Sequence, residues 1–227
     1  PAGGIYCERS DVKTYSISCT SIAAGNADFG LYISGTKFAA TDTTLVGFNK
    51  GIYGIVGSDI IFKAQPPADT LVCSNISNTN IELVSSKITF TFGAVNLTNS
   101  STIGISMSSS ELYSDAALTC SNHLNTGITL ISSVFRCDGI LTVDNTNGKG
   151  VRLAQNSRMV ITNTATGTNV GTGVRLFSGS TFIGKQGNTL TGTPHVGIGT
   201  LNKTWAQVDA GAAVTDNHDY TTVPTEL

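Results

Sequence analysis

The tetrapeptide Gly150-Val151-Arg152-Leu153 returns unchanged 23 residues later as Gly173-Val174-Arg175-Leu176. A return at fixed spacing marks a repeat architecture. The same step recurs on either side of this pair. One apolar anchor per unit falls at Leu31, Tyr53, Ile81, Ile105, Ile128, Val151, Val174 and Ile198, with spacings of 22, 28, 24, 23, 23, 23 and 24. The long interval contains Gln65-Pro66-Pro67-Ala68-Asp69, which reads as a turn insertion. A second apolar residue follows two places on, at Ile33, Ile55, Leu83, Met107, Leu130, Leu153 and Leu176. Between the two stand mostly polar residues: Tyr32, Glu82, Ser106, Thr129, Arg152 and Arg175. Alternation with period two is the signature of a strand with one buried face.

Two further columns keep this register. Phe38, Ile60, Ile88, Leu112, Phe135, Met159, Phe182 and Trp205 lie seven or eight residues after the anchors. Asn26, Asn49, Asn75, Asn99, Asn122, Asn145 and Asn169 precede them, and Thr193 continues the series. Asparagine suits a turn because it tolerates left-handed dihedrals, and its amide both donates and accepts along a stack. The expectation is a buried asparagine ladder. A unit of this length with about three short strands and no helical stretch is one coil of a single-stranded parallel β-helix. Stacked at about 4.8 Å, eight such coils make a rod of roughly 38 Å. Right-handed crossovers dominate parallel sheets, so right-handed coiling is expected. The fold class is therefore all-β. Residues 1–20 read as an irregular N-terminal cap, 21–208 as the parallel β-helix, and 209–227 as a C-terminal cap or tail. The start Pro1-Ala2-Gly3-Gly4, without Met, reads as a processed product or a piece of something longer.

Stacking makes predictions about charge and sulfur. Lys37, Asp59, Lys87 and Glu111 share one column and alternate in sign before Val134. A parallel stack of like charges is unfavourable, and this one avoids it. Cys73 and Cys120 share a column two coils apart, about 9.6 Å on this rise and beyond disulfide reach. Cys7 and Cys19 are the pair close enough in sequence to bridge, and the spacing leaves that open.

Composition narrows the function. Gly, Ser, Thr and Asn number 25, 23, 32 and 17 of 227 residues, the net charge is −2 and only 12% of residues are charged. Disordered chains combine low hydrophobicity with high charge, whereas 40% of this chain is hydrophobic. The basic surplus of a nucleic-acid binder is missing. No apolar run approaches the length of a membrane-spanning helix. His123, His195 and His218 have no neighbours at metal-ligand or triad spacing, and no CxxC occurs. No cofactor or metal is implied.

Two constellations remain. Asp115 and Asp138 each lie three residues after equivalent core positions, Leu112 and Phe135. They should stack in adjacent coils about 5 Å apart, the separation of a retaining glycosidase pair. No third group is evident to tune one against the other. Arg152 and Arg175 should project side by side, suited to an acidic sugar or a neighbouring chain's carboxylates. Tyr32, Glu82 and Thr129 fall on the same face, which is chemically suited to sugars.

The coil of 22–24 residues, the asparagine column at 26–169 and the Gly/Ser/Thr/Asn bias resemble the β-helical shafts of bacteriophage tailspikes and tail fibres over residues 12–208. More distantly, the chain is similar to the pectate-lyase-like β-helix superfamily. The first resemblance implies a virion-borne homotrimer that binds, and in some cases cleaves, host-surface polysaccharide. The lyase branch uses clustered calcium-binding Asp and a catalytic Arg or Lys, and the sequence carries no such cluster. The leading expectation is a virion tail-fibre or tailspike-like adhesin, otherwise extracellular, partnered by its own copies and by host glycan. Alternatives are a polysaccharide-degrading hydrolase or lyase, and a purely structural spike or decoration protein.

Overall fold

In a computed structural model of the chain, residues 4–21, 28–63, 71–91, 93–144, 149–168, 173–176, 179–183 and 189–191 are described. They form three eight-stranded parallel sheets, A, B and C, and contain no helix. No helix among them is therefore long and apolar enough to cross a membrane. The first six strands set the pattern: β1 (Ile5–Glu8), β2 (Asp11–Lys13) and β3 (Ser16–Thr20) form one coil, then β4 (Phe29–Ser34), β5 (Lys37–Ala40) and β6 (Asp42–Val46) the next. Each strand pairs in parallel with its counterpart one coil on. The expected all-β parallel solenoid is the observed fold.

The interior is built from the columns that period-two alternation selects. Leu31, Ile81, Ile105, Ile128 and Val151 are fully buried on sheet A, and Phe38, Ile60, Ile88, Phe135, Met159 and Phe182 on sheet B are buried beneath one another. Cys73 and Cys120 face inward with Leu97 between them, and all five cysteines are free, including Cys7 and Cys19. Burial raises the thiol pKa of Cys73, Cys120 and Cys137, which leaves them unreactive packing groups.

Three expectations are corrected. The sheet A anchor in its third coil is Ile52, which pairs with Leu31 and Ile81, while Tyr53 pairs with Tyr32 and Glu82 on the outer face. Gly54, not Ile55, is the second inward residue of that strand, because Gly54 pairs with Ile33 and Leu83. Secondly, the segment read as an irregular cap carries β1–β3, a regular coil in its described part. The coils expected near Ile198 and Trp205, the tail 209–227, and Asn26, Asn145, Asn169, Thr193, His195 and His218 lie outside the described residues.

The third correction concerns the corners. Asn49 does not stack on Asn75: its carbonyl accepts from the Asn78 N–H at 2.9 Å, whereas Gly47 meets Ser74, the residue before Asn75. Asn75, Asn99 and Asn122 do form a column, but they are exposed and hold φ of 53°, 53° and 59°. Their role is to adopt left-handed dihedrals, which Asn does at lower cost than other residues with a Cβ. Buried hydroxyls do the work expected of buried amides. Ser58, Ser86, Ser110, Ser133, Ser157 and Ser180 stack at the corner between sheets A and B, all nearly or wholly inaccessible. From Ser58 to Ser157, each main-chain N–H donates to the next hydroxyl along the stack, at 3.1–3.3 Å. The Ser110 and Ser133 hydroxyls donate in turn to the carbonyls of Ser108 and Ile131, both at 2.7 Å. A left-handed residue precedes most of these serines, among them Ser85, Ser109, Ser132 and Asn156.

At the corner between sheets C and A, glycine stands one residue before the inner column at 4, 30, 51, 104, 127, 150 and 173. A Cβ on Gly104 would meet the Gly127 carbonyl oxygen and His123 Nε2, each at 2.6 Å. His123 is wholly buried there, with Nδ1 2.7 Å from the Ser100 hydroxyl. Burial of the imidazole lowers its pKa to about 4.

Two measurements follow. Ser110→Ala strands the buried Ser86 N–H and should cost about 1–3 kcal/mol in denaturant unfolding, while Asn99→Gly should leave stability unchanged or slightly raised, since glycine adopts the same φ freely. His123 is neutral in both states above pH 6.5 but charges more readily when unfolded. Stability should therefore fall by about 3 kcal/mol as pH drops from 6.5 towards 4, and His123→Gln should flatten that part of the pH profile.

Candidate functional site

Outward positions of sheet A align into one column. Register places Tyr6, Tyr32, Tyr53, Glu82, Ser106, Thr129, Arg152 and Arg175 on successive coils. The four residues singled out by sequence, Tyr32, Glu82, Arg152 and Arg175, thus share not merely a face but a single line. Thr129 lies between them. Strand alternation produces this: Tyr32, Tyr53, Glu82, Ser106, Thr129 and Arg152 each stand between two inward residues and so point out, with Thr129 nearly covered.

The first coils hold a cluster of four rings. Tyr6 stacks on Tyr32 with centroids 4.2 Å apart and planes 7° from parallel. Phe29 stacks on Tyr53 at 5.1 Å, and Tyr32 meets both edge-on, at 5.4 Å and 5.7 Å. Lys50 Nζ lies 4.1 Å from the Tyr53 centroid and 2.9 Å from Glu82 Oε2. Both charged side chains are largely covered, 18% and 24% exposed, so the ion pair is held against the rings and not loose in solvent. Tyr6 keeps 60% of its surface open, with its hydroxyl donating to Glu8 Oε1 at 2.7 Å. The result is an aromatic platform flanked by a paired cation and anion. It leads, coil by coil, into hydroxyls and then guanidinium groups.

Sequence reading missed Tyr6, Phe29, Lys50 and the outward placement of Tyr53. The signal for Tyr53 was present: in Gly51-Ile52-Tyr53-Gly54, a frame one residue earlier keeps Ile inward and lets a glycine take the second inward place.

The second candidate lies on sheet B and its following corner. Asp115 and Asp138 do come together, as the column predicts: both follow paired residues, Ser114 and Cys137. The absence of a third group is corrected. The Tyr113 hydroxyl lies 2.7 Å from Asp115 Oδ1 and 3.0 Å from Asp138 Oδ2. Arg136 grips Asp138, with Nε 3.0 Å from both carboxylate oxygens and Nη2 2.9 Å from Oδ2. Thr162 donates to Asp138 Oδ1 at 2.6 Å. Tyr113 and Arg136 pair across adjacent strands and sit two residues before their aspartates, so all four project outward together. Arg136 is the main cause holding the Asp138 carboxyl below its usual range. The carboxylates, Asp115 foremost, push the Tyr113 phenol up to about 12. A general acid in glycoside cleavage needs the opposite shift, a carboxyl kept protonated near neutral pH. Arg136 favours the ionised form of Asp138 instead.

The charge column is as expected and longer: Asp11 precedes Lys37, Asp59, Lys87 and Glu111, and Arg158 follows Val134. Among the described residues no group of three or more His, Cys, Asp or Glu is placed to hold a metal ion. No protein-family model, no curated protein and no solved structure matches this chain.

Arg136→Ala should let the Asp138 pKa rise towards the ordinary carboxylate range, read by carboxyl-carbon NMR titration. An unmoved Asp138 would show that Thr162 and Tyr113 suffice to hold it.

Proposed function

We propose that the chain is a carbohydrate-binding solenoid of a fibre-type surface appendage, virion-borne or otherwise extracellular, and that it holds host-surface glycan along the outer column of sheet A. The observation that carries this reading is the aromatic platform of Tyr6, Phe29, Tyr32 and Tyr53 with the Lys50–Glu82 pair beside it. Sugar rings present C–H faces that pack on aromatic rings, and hydroxyls that bond to paired charges and to Ser and Thr. The column continues through Ser106 to Arg152 and Arg175, which suits a linear glycan with an acidic group towards the arginine end. Side-by-side assembly into a homotrimer, as in the fibres the sequence resembles, belongs to the same reading. It is supported by low charge and by exposed apolar side chains such as Val56 and Val134.

The test is binding of the purified chain to an array of bacterial and cell-surface polysaccharides, followed by titration of any ligand retained. Tyr32→Ala should weaken binding at least tenfold, about 1.4 kcal/mol, without lowering the melting temperature by more than a few degrees. Lys87→Ala, on sheet B, should bind normally. Retention of no glycan, or equal binding by Tyr32→Ala, defeats the reading. No reducing ends should be released from any bound glycan, because both Asp138 carboxylate oxygens are already engaged by Arg136, Thr162 and Tyr113. Release that disappears in Asp138→Asn would favour the hydrolase instead.

A further inference from the structure

The ridge where sheet A turns into sheet B changes character in the third and fourth coils. Its third corner holds one residue more than its neighbours. Val56 and Gly57 stand between Ile55 and Ser58, where Gly35 alone follows Ser34 and Ser85 alone follows Val84. Val56 takes φ 55° and keeps 66% of its surface open. A β-branched side chain is a costly choice for left-handed dihedrals, which Gly35, Ser85, Ser109 and Ser132 supply at the neighbouring corners. Exposed as it is, Val56 adds little to the core. Strain kept at such a position argues for a contact made by the side chain.

The surroundings of Val56 bear this out. On its sheet A side, Ile55 and Val84 pair in register on the outer face, half-buried and exposed respectively. Ser34 before them and Ser108 after them bound the apolar patch to these two coils. On its sheet B side run Lys37, Asp59, Lys87 and Glu111, one on each of the second to fifth coils. Among the described residues, none of these four charges makes an ion pair within the chain.

A second copy can meet this ridge in two senses. Laid parallel about a two-fold along the rods, the sheet A column faces the sheet B column at equal height. Ile55 then lies on Asp59 and Val84 on Lys87, apolar groups against charges. Turned end over end, about a two-fold crossing the rods between the third and fourth coils, each column meets itself with its order reversed. Asp59 meets Lys87 of the copy and Lys37 meets Glu111, each twice by symmetry. Ile55 meets Val84, also twice, Val56 lies over Ser85, and Ser34 meets Ser108. The position of the axis is fixed by the sequence of groups. At the height of any one charge it opposes that charge to its own copy. One coil towards the second, it sets Ile55 on Ser34; one coil towards the fifth, it sets Lys37 against Arg158. Between the third and fourth coils, both the apolar residues and all four charges find partners.

We infer that the ridge between sheets A and B is a docking site for a second copy of this chain, laid antiparallel about a two-fold axis between the third and fourth coils, with an apolar centre and reciprocal ion pairs beside it. The exposed valines supply the area removed from water, and the alternating charges set sense and register more than strength. This goes beyond the glycan reading and does not depend on it. A threefold axis cannot generate the contact, so a lateral trimer would be doubled by it and not built from it.

The test is mass in solution by light scattering on the 227-residue chain, with the β-sheet circular dichroism spectrum confirming that each variant folds. Lys37→Glu opposes two acids across the contact, and Glu111→Lys opposes two amines. Val56→Asn suits the left-handed corner better than valine does, so it keeps the coil and removes the apolar centre. The wild-type mass should be twice that of each variant, whether the unit that doubles is one chain or a trimer. An equimolar mixture of Lys37→Glu with Glu111→Lys should recover the doubled mass, because every contact then joins an acid to an amine. Equal masses for the wild type and all three variants overturn the second copy as the occupant of this ridge. Halved masses that the mixture does not restore overturn the antiparallel pairing.

Discussion

Among the described residues, each inner coil is held by main-chain hydrogen bonds to the coils on either side, in parallel and in register. Parallel register means that each residue lies above its own equivalent, so any side chain that fails to stack fails repeatedly along the rod. The alternating column from Asp11 through Lys37, Asp59, Lys87 and Glu111 is the electrostatic consequence. The aliphatic and aromatic files inside are the hydrophobic one, with rings such as Phe62 and Phe90 stacked 5.5 Å apart.

Corners set the harder problem. There the main chain leaves the sheets while still buried, and its polar groups need partners. At the corner between sheets A and B, a left-handed residue turns the chain and the following serine hydroxyl bonds within its own coil and to its neighbour. Between sheets C and A, glycine gives close approach, and His123 and Asn80 fill part of the space with hydrogen bonds to Ser100 and to the Cys73 carbonyl. Small residues thereby supply partners to the buried main chain at these corners, which accounts for a composition rich in Gly, Ser, Thr and Asn with so little charge.

The outer faces inherit the same geometry for a different use. Strand alternation points one residue per coil outward at fixed separation, so a column of sheet A becomes a ruler of chemically distinct groups: rings, then an anion paired to Lys50, then hydroxyls, then guanidinium groups. A repeating polymer is the natural match for such a surface. The Tyr113–Asp115–Arg136–Asp138 network is the contrasting case. It also arises by stacking, yet Arg136 is closed on Asp138 and Tyr113 bridges both aspartates, which fits a fastening between coils better than an acid–base pair.

Periodicity in the sequence determined the fold class, the inner columns from Phe38 to Phe182, the charge alternation, the separation of Cys73 from Cys120, the meeting of Asp115 with Asp138 and the outward line of Tyr32, Glu82, Arg152 and Arg175. All of these depend only on spacing and on period-two alternation, which a linear chain carries openly. Tertiary structure alone decided what lies at the corners. Whether Asn99 or Ser110 faces inward depends on the dihedrals of the turn, and spacing is the same for both. It also decided the frame of Tyr53, where two alternations fit the residues and only pairing with Leu31 and Ile81 through Ile52 selects one. The regular coil at 5–20 was hidden for the same kind of reason. Its strands are short and rich in polar residues, and they become strands because β4, β5 and β6 offer edges to pair with. The bridging of Asp115 and Asp138 by Tyr113, with Arg136 closed on Asp138, required side-chain directions that no repeat length encodes.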